Sequence, residues 1–219
     1  ELMLEGLQIG DEYAKELATY MPQLDRPPTD VNIRKTRITT TGLFTIAEVL
    51  PMNIWSFDVS ENTIEDNGFK KLVWLLSEKN ISHLNVSNCD ITMNDNWSET
   101  QKLNVIALDF NYNKIGNDGL NQLHHILPPH PQGLQMLSLQ ECNMNLNSLP
   151  FLQYLETSSI QELNFSHNPI NDEDINLLVL YLPEQLKILN LAWCHINKLT
   201  GFLPILVDKN RELKELYLN

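Results

Sequence analysis

The sequence predicts an α/β solenoid of stacked repeats, each a short strand followed by a helix or helical turn. A recurring apolar pattern, its near-constant spacing and a change of period inside each copy all point to it. The pattern L-x-x-L-x-L-x-x-[N/C]-x-I fits six times. The first two copies are Ile54-x-x-Phe57-x-Val59-x-x-Asn62-x-Ile64 and Ile81-x-x-Leu84-x-Val86-x-x-Cys89-x-Ile91. Next come Val105-x-x-Leu108-x-Phe110-x-x-Asn113-x-Ile115 and Leu134-x-x-Leu137-x-Leu139-x-x-Cys142-x-Met144. The last two are Ile160-x-x-Leu163-x-Phe165-x-x-Asn168-x-Ile170 and Leu186-x-x-Leu189-x-Leu191-x-x-Cys194-x-Ile196. Two weaker copies precede these, with Leu7 and Thr36 at the marker position, and a ninth opens at Leu213-x-x-Leu216-x-Leu218. Successive markers stand 24 to 29 residues apart, the length of a strand-plus-helix unit.

The strand of each copy follows from alternation. Phe57 in, Asp58 out, Val59 in is the period of two expected when one strand face is buried. The marker stands where the chain turns away from the strand. A buried Asn there can satisfy backbone groups of the turn and of a neighbouring repeat. A Cys offers a small apolar side chain with a weak S–H donor. Helices are predicted after Ile38, Ile64, Ile115 and Ile170, where the next inward residues fall four apart: Ile46 and Leu50, Leu72 and Leu76, Leu123 and Leu127, Leu178 and Leu182. Asp, Asn and Thr residues before these steps can cap the helices. Glu99 and Pro204 occupy the inward helical slot of two Cys-type repeats, which predicts short or irregular segments there.

This alternation of Asn-type and Cys-type repeats resembles the ribonuclease-inhibitor class of leucine-rich repeat proteins, over nearly all of residues 1–219. The resemblance implies a horseshoe with a parallel concave sheet and convex helices, about eight repeats and a truncated ninth. Members of that class include inhibitors, Ran GTPase activators, sensor regions of innate-immune receptors, actin regulators and axonemal or centrosomal scaffolds. The motif specifies the fold and leaves the activity open. Residues 1–219 are read as a single repeat domain, expected to be a portion of a longer protein because the chain opens and closes inside strands.

Three cysteines exist, and all three are markers. Neighbouring Cys repeats would place them two strand spacings apart, ~10 Å, too far for a disulfide. Buried free thiols in a reducing, cytoplasmic compartment are predicted, with cytoskeletal association among the settings the resemblance implies. The sequons at Asn80, Asn85, Asn96 and Asn164 then read as by-products of the repeat. No transmembrane stretch occurs, so no membrane partner is expected. The net charge of −13 and the lack of a basic stripe argue against nucleic acid and suit a basic protein partner.

No P-loop, dinucleotide fingerprint, nucleophile elbow or H-E-x-x-H motif is found, so neither an enzyme nor a cofactor is predicted. His124 and His125, with His130 nearby, form a histidine cluster without cysteine or carboxylate spacing, and no metal site is assigned. Asp58 and Asp109 share a column two repeats apart, but an open, wet sheet supplies nothing to raise a carboxylate pKa.

The concave face is therefore the expected interaction surface. Its central column reads Met3, Asn32, Asp58, Asn85, Asp109, Ser138, Asn164, Asn190, Tyr217. Tyr112, Met136, Ile188, Trp193 and Tyr217 are large or apolar where the pattern prefers small polar residues, and aromatics are enriched at binding hot spots. Asp58, Asp109, Tyr112, Met136, Asn164, Ile188, Asn190, Trp193 and Tyr217 are the candidate partner-binding residues. A noncatalytic protein-interaction scaffold leads. A regulator resembling the Ran activators and a sensor region of a larger receptor are the alternatives.

Overall fold

The computed structural model describes residues 1–129 and 133–218; His130 and Asn219 lie outside the described residues. Among the described residues nine strands form one parallel sheet in chain order. They are β1 (Leu2–Met3), β2 (Asp30–Asn32), β3 (Asn53–Asp58), β4 (Asn80–Asn85), β5 (Val105–Asp109), β6 (Met136–Ser138), β7 (Glu162–Asn164), β8 (Ile188–Asn190) and β9 (Glu215–Tyr217). Register follows the apolar pattern without slippage. Val31, Phe57, Leu84, Leu108, Leu137, Leu163, Leu189 and Leu216 pair in one continuous row. A slip of one residue would turn this row out to solvent, so the buried face enforces the pairing.

Among the described residues seven α-helices lie between the strands: α1 (Gly10–Tyr20), α2 (Thr40–Val49), α3 (Glu65–Leu76), α4 (Gly116–Leu123), α5 (Leu149–Thr157), α6 (Asp172–Leu178) and α7 (Leu203–Lys209). Their inward residues, such as Ile46, Leu72 and Leu123, join the strand leucines in one apolar cluster from Ala14 to Leu206. Thr39 caps α2, Ser148 caps α5, and Asn171 forms a capping box with Asp174 on α6.

The Cys-type repeats depart from expectation. No helix links β4 to β5, as predicted, but Glu99 does not point inward; it is exposed, and Trp97 and Leu103 are buried in its place. The Trp97 ring packs on Phe69 at 5.6 Å between centroids and lies under Lys70 Nζ at 5.0 Å. Its bulk supplies the apolar volume that a helix supplies elsewhere. Gly119 allows close approach here, since a Cβ would sit 2.2 Å from the Thr92 carbonyl. Pro204 is also exposed, with Phe202 and Leu206 buried beside it. The Cys142 repeat carries a regular helix, α5, started by the Ser148 cap and a proline in its first turn.

The markers bind the repeats together. Asn113 Nδ2 donates to the carbonyls of Val86 and Phe110 at 2.8 Å each, while its Oδ1 accepts from the N–H of Cys89 at 3.0 Å and of Ile91 at 3.1 Å. Asn168 and Asn62 repeat this scheme on the Leu139 and Ile33 carbonyls. The Cys89 and Cys142 thiols donate weakly to the carbonyls of Val59 and Phe110. Thr36, a departure in sequence, is fully buried and its hydroxyl donates to the Ile33 carbonyl at 2.7 Å. Leu7 is not a marker at all, being 52% exposed. Cys194 is only half-buried, contrary to expectation.

A second ladder runs along the turns. Asp11, Asp66, Asn117 and Asp172 each accept backbone N–H groups from the following repeat, respectively from Thr39, from Thr92 and Met93, from Asn145, and from Asn197 and Lys198. The Lys198 and Asn197 N–H bonds hold the Asp172 carboxyl below the usual range.

Asn113→Ala leaves the Val86 carbonyl and the Cys89 and Ile91 N–H groups without their side-chain partner, at ~1–3 kcal/mol for a typical buried group, while the Phe110 carbonyl keeps only the weak Cys142 thiol. A loss of about 3 kcal/mol or more is expected in urea denaturation, against a much smaller loss for Cys142→Ala. Burial pushes the Cys89 and Cys142 thiols up to about 12. Cys194 is expected to react first with an aromatic disulfide reagent, and the other two only after unfolding.

Candidate interaction surface

The expected central column exists as read: Met3, Asn32, Asp58, Asn85, Asp109, Ser138, Asn164, Asn190 and Tyr217 are paired neighbours across the whole sheet. Its acids and amides have a local duty. Asn32, Asp58, Asn85, Asp109, Asn164 and Asn190 each accept the backbone N–H two residues ahead, closing the turn that ends the strand. Asp58 also accepts from Ser60 Oγ at 2.6 Å and from Asn85 Nδ2 at 3.1 Å, and Asp109 from Ser87 Oγ at 2.7 Å. These two carboxylates are thus held by neighbours within the sheet. Near them, Arg34 donates to Glu61 at 2.9 Å, and this bond raises the guanidinium pKa and lowers that of the carboxyl.

The C-terminal part of the face differs. Met136, Asn164, Ile188, Asn190 and Tyr217 come together around one groove of about 130 Å³. The flanking row Met136, Glu162, Ile188, Glu215 alternates apolar and acidic side chains across four adjacent strands. The Tyr217 hydroxyl donates to Glu215, which raises the phenol pKa. Asn164 Nδ2 donates to Ser138 Oγ at 3.0 Å.

Tyr112 and Trp193 stand apart from this groove. Each occupies the residue before a marker, where Lys35, Glu61, Asn88, Tyr112, Glu141, His167 and Trp193 all adopt positive φ. Turning the marker inward requires that left-handed step, which is costly for bulky residues. It leaves both aromatic side chains exposed at the sheet edge. Trp193 stacks on His167 at 5.7 Å, and Tyr112 Oη accepts from Gln140 Nε2 at 2.8 Å.

One feature of the opposite edge escaped the sequence reading. Trp55 and Ile106 are 60% and 45% exposed at the start of β3 and β5, with Ser82 between them on β4. Those positions lie just after the first apolar residue of each copy. There the later repeats carry Gln135, Gln161, Lys187 and Lys214, so the contrast was readable in that column.

Among the described residues no group of three or more His, Cys, Asp or Glu is arranged to hold a metal ion. None of the described helices is long and apolar enough to cross a membrane. His124 and His125 pack ring on ring at 3.9 Å on the helical side, with Lys102 Nζ bonded to both of their carbonyls.

The model of the family described as Leucine Rich repeat matches residues 102–122 and 158–179, which contain the Asn113 and Asn168 copies. With nine parallel strands among the described residues and the marker ladder, the chain has the fold of a leucine-rich repeat solenoid. Similar proteins carry such repeats beside other domains. The chain is 27% identical over 175 residues to NACHT, LRR and PYD domains-containing protein 5 of Homo sapiens, covering 74% of the chain and 15% of that protein. It is 28% identical over 150 residues to NACHT, LRR and PYD domains-containing protein 13 of Homo sapiens, covering 65% and 14%. It is 26% identical over 211 residues to NACHT, LRR and PYD domains-containing protein 12 of Mus musculus, covering 86% and 19%. The chain thus spans less than a fifth of the length of these curated relatives.

Burial and nearby positive charge lower the pKa of both His124 and His125. The folded state therefore resists protons that an unfolded imidazole, with a pKa of about 6.5, accepts. Stability is complete above that value and is lost as pH falls toward the depressed folded values. Between about pH 7.5 and about pH 5.5 the urea midpoint is expected to fall less for the doubly substituted His124→Gln, His125→Gln protein than for the wild type.

Proposed function

We propose that this chain is a noncatalytic protein-interaction domain whose partner seats on the C-terminal half of the open sheet face. The row Met136, Glu162, Ile188, Glu215 carries this reading: apolar anchors separated by carboxylates suit a partner with apolar and basic residues in alternation. The net charge of −13 favours the same partner through long-range attraction. Tyr217 supplies aromatic area at one end, and Asn164 and Asn190 supply orientation. Trp193 and Tyr112, which stand apart from the groove, would extend the contact along the turn edge, and Asp58 and Asp109, on β3 and β5, would add to the negative field that a basic partner meets. Free thiols at the ladder support a reducing, cytoplasmic setting.

The similar proteins favour a second, compatible reading. Their names join LRR to NACHT and PYD domains, and the aligned part is a small share of each. A repeat region that senses a ligand for a larger multidomain protein fits those proportions.

The test uses a partner recovered with the chain and re-measured in purified form. Tyr217→Ala should weaken it about 30-fold, the equivalent of ~2 kcal/mol for a buried aromatic anchor. Glu162→Gln with Glu215→Gln should slow association and flatten its salt dependence. Normal binding by these variants, with loss on Lys70→Glu or His125→Ala, would move the partner to the helical side.

A further inference from the structure

The edge where Trp55 and Ile106 emerge forms a built notch. Ile54 pairs with Ile81, and Ile81 with Val105, so Trp55, Ser82 and Ile106 follow one another on adjacent strands. Trp55 and Ile106 are two strand spacings apart, ~10 Å, and the small Ser82 between them leaves the gap open. His83 backs the tryptophan: its ring lies 5.3 Å from that of Trp55, and its Nδ1 is 3.3 Å from the Trp55 carbonyl.

Asparagine amides line one side of the notch in series. Asn80 Nδ2 donates to Asn53 Oδ1 at 2.8 Å, and Asn104 Nδ2 donates to Asn80 Oδ1. The cavity has a volume of about 450 Å³. Trp55, Ile106, Ser82 and the three asparagines line it with Thr29 and the strand residues Ile54 and Ile81, so no charged side chain lines it, in a chain of net charge −13.

We infer that this notch is a second binding site, taking an extended, uncharged peptide segment of a partner with one large apolar side chain seated between Trp55 and Ile106. Amide side chains present the same donor and acceptor pair as a peptide group, so the asparagine series can engage a passing backbone. Two apolar walls without buried charge accept an apolar anchor without a desolvation cost. The field of the whole chain favours basic residues beyond either end of that uncharged segment and disfavours acidic ones. This site is separate from the C-terminal groove, and the two fail separately.

A random peptide library displayed on phage is selected against the purified chain, and enriched peptides are synthesised with a fluorophore for anisotropy titration. The expected peptides share one large apolar residue, uncharged neighbours and basic flanks. Trp55→Ala should weaken them about tenfold or more, and so should Ser82→Phe, which fills the notch while keeping Trp55. Tyr217→Ala should leave them within about twofold, whatever it does at the C-terminal groove. Circular dichroism confirms that both notch variants fold. No enrichment, acidic consensus peptides, or unchanged affinity in Trp55→Ala and Ser82→Phe would overturn the assignment.

Discussion

Where each strand ends, the chain turns and its last inward carbonyl loses the sheet as a partner. Six such carbonyls, on Ile33, Val59, Val86, Phe110, Leu139 and Phe165, are met by the marker of the following repeat: Asn62, Cys89, Asn113, Cys142, Asn168 and Cys194. A buried carbonyl without a donor is costly, so this contact is the constraint on which the stack depends. The markers must turn inward, which sets the left-handed residue before each of them and the fixed height of every repeat.

Asn and Cys meet the constraint unequally, and the inequality makes the structural unit two repeats long. Each Asn marker both donates and accepts, locking the preceding Thr36, Cys89 or Cys142 repeat through that residue's N–H. Cysteine cannot accept well, so the Cys-type repeats are held to their other neighbours through Asp11, Asp66, Asn117 and Asp172. From the first repeat to the Cys194 repeat, each interface thus has a strong polar contact, on the strand side or on the turn side. Thr36 belongs to the Cys class by position and by its donated hydroxyl bond.

The same constraint separates structural polarity from binding polarity. Asp58, Asp109 and the column asparagines look like a polar binding face, yet their oxygens close turns. The proposed contacts use instead the row two residues earlier, where Met136 and Ile188 alternate with Glu162 and Glu215, and the edge where Trp55 and Ile106 stand exposed. Both proposed surfaces are built from departures from the pattern, because the polar groups of the pattern itself are taken up by the fold.

The sequence alone determined the strands, their register, the central column and the identity of the marker ladder, because a period of two and a repeat near 26 residues are written directly in the order of residues. It also picked out Met136, Ile188 and Tyr217, which depart from their own columns. Only the tertiary structure decided that Trp97 replaces a helix, that Glu99 and Pro204 turn outward, and that Trp193 sits off the groove on a left-handed step. It alone placed Trp55, Ser82 and Ile106 side by side. Such facts depend on volumes and hydrogen bonds between residues some 25 positions apart, which stacking brings into contact and which periodicity within one repeat does not encode.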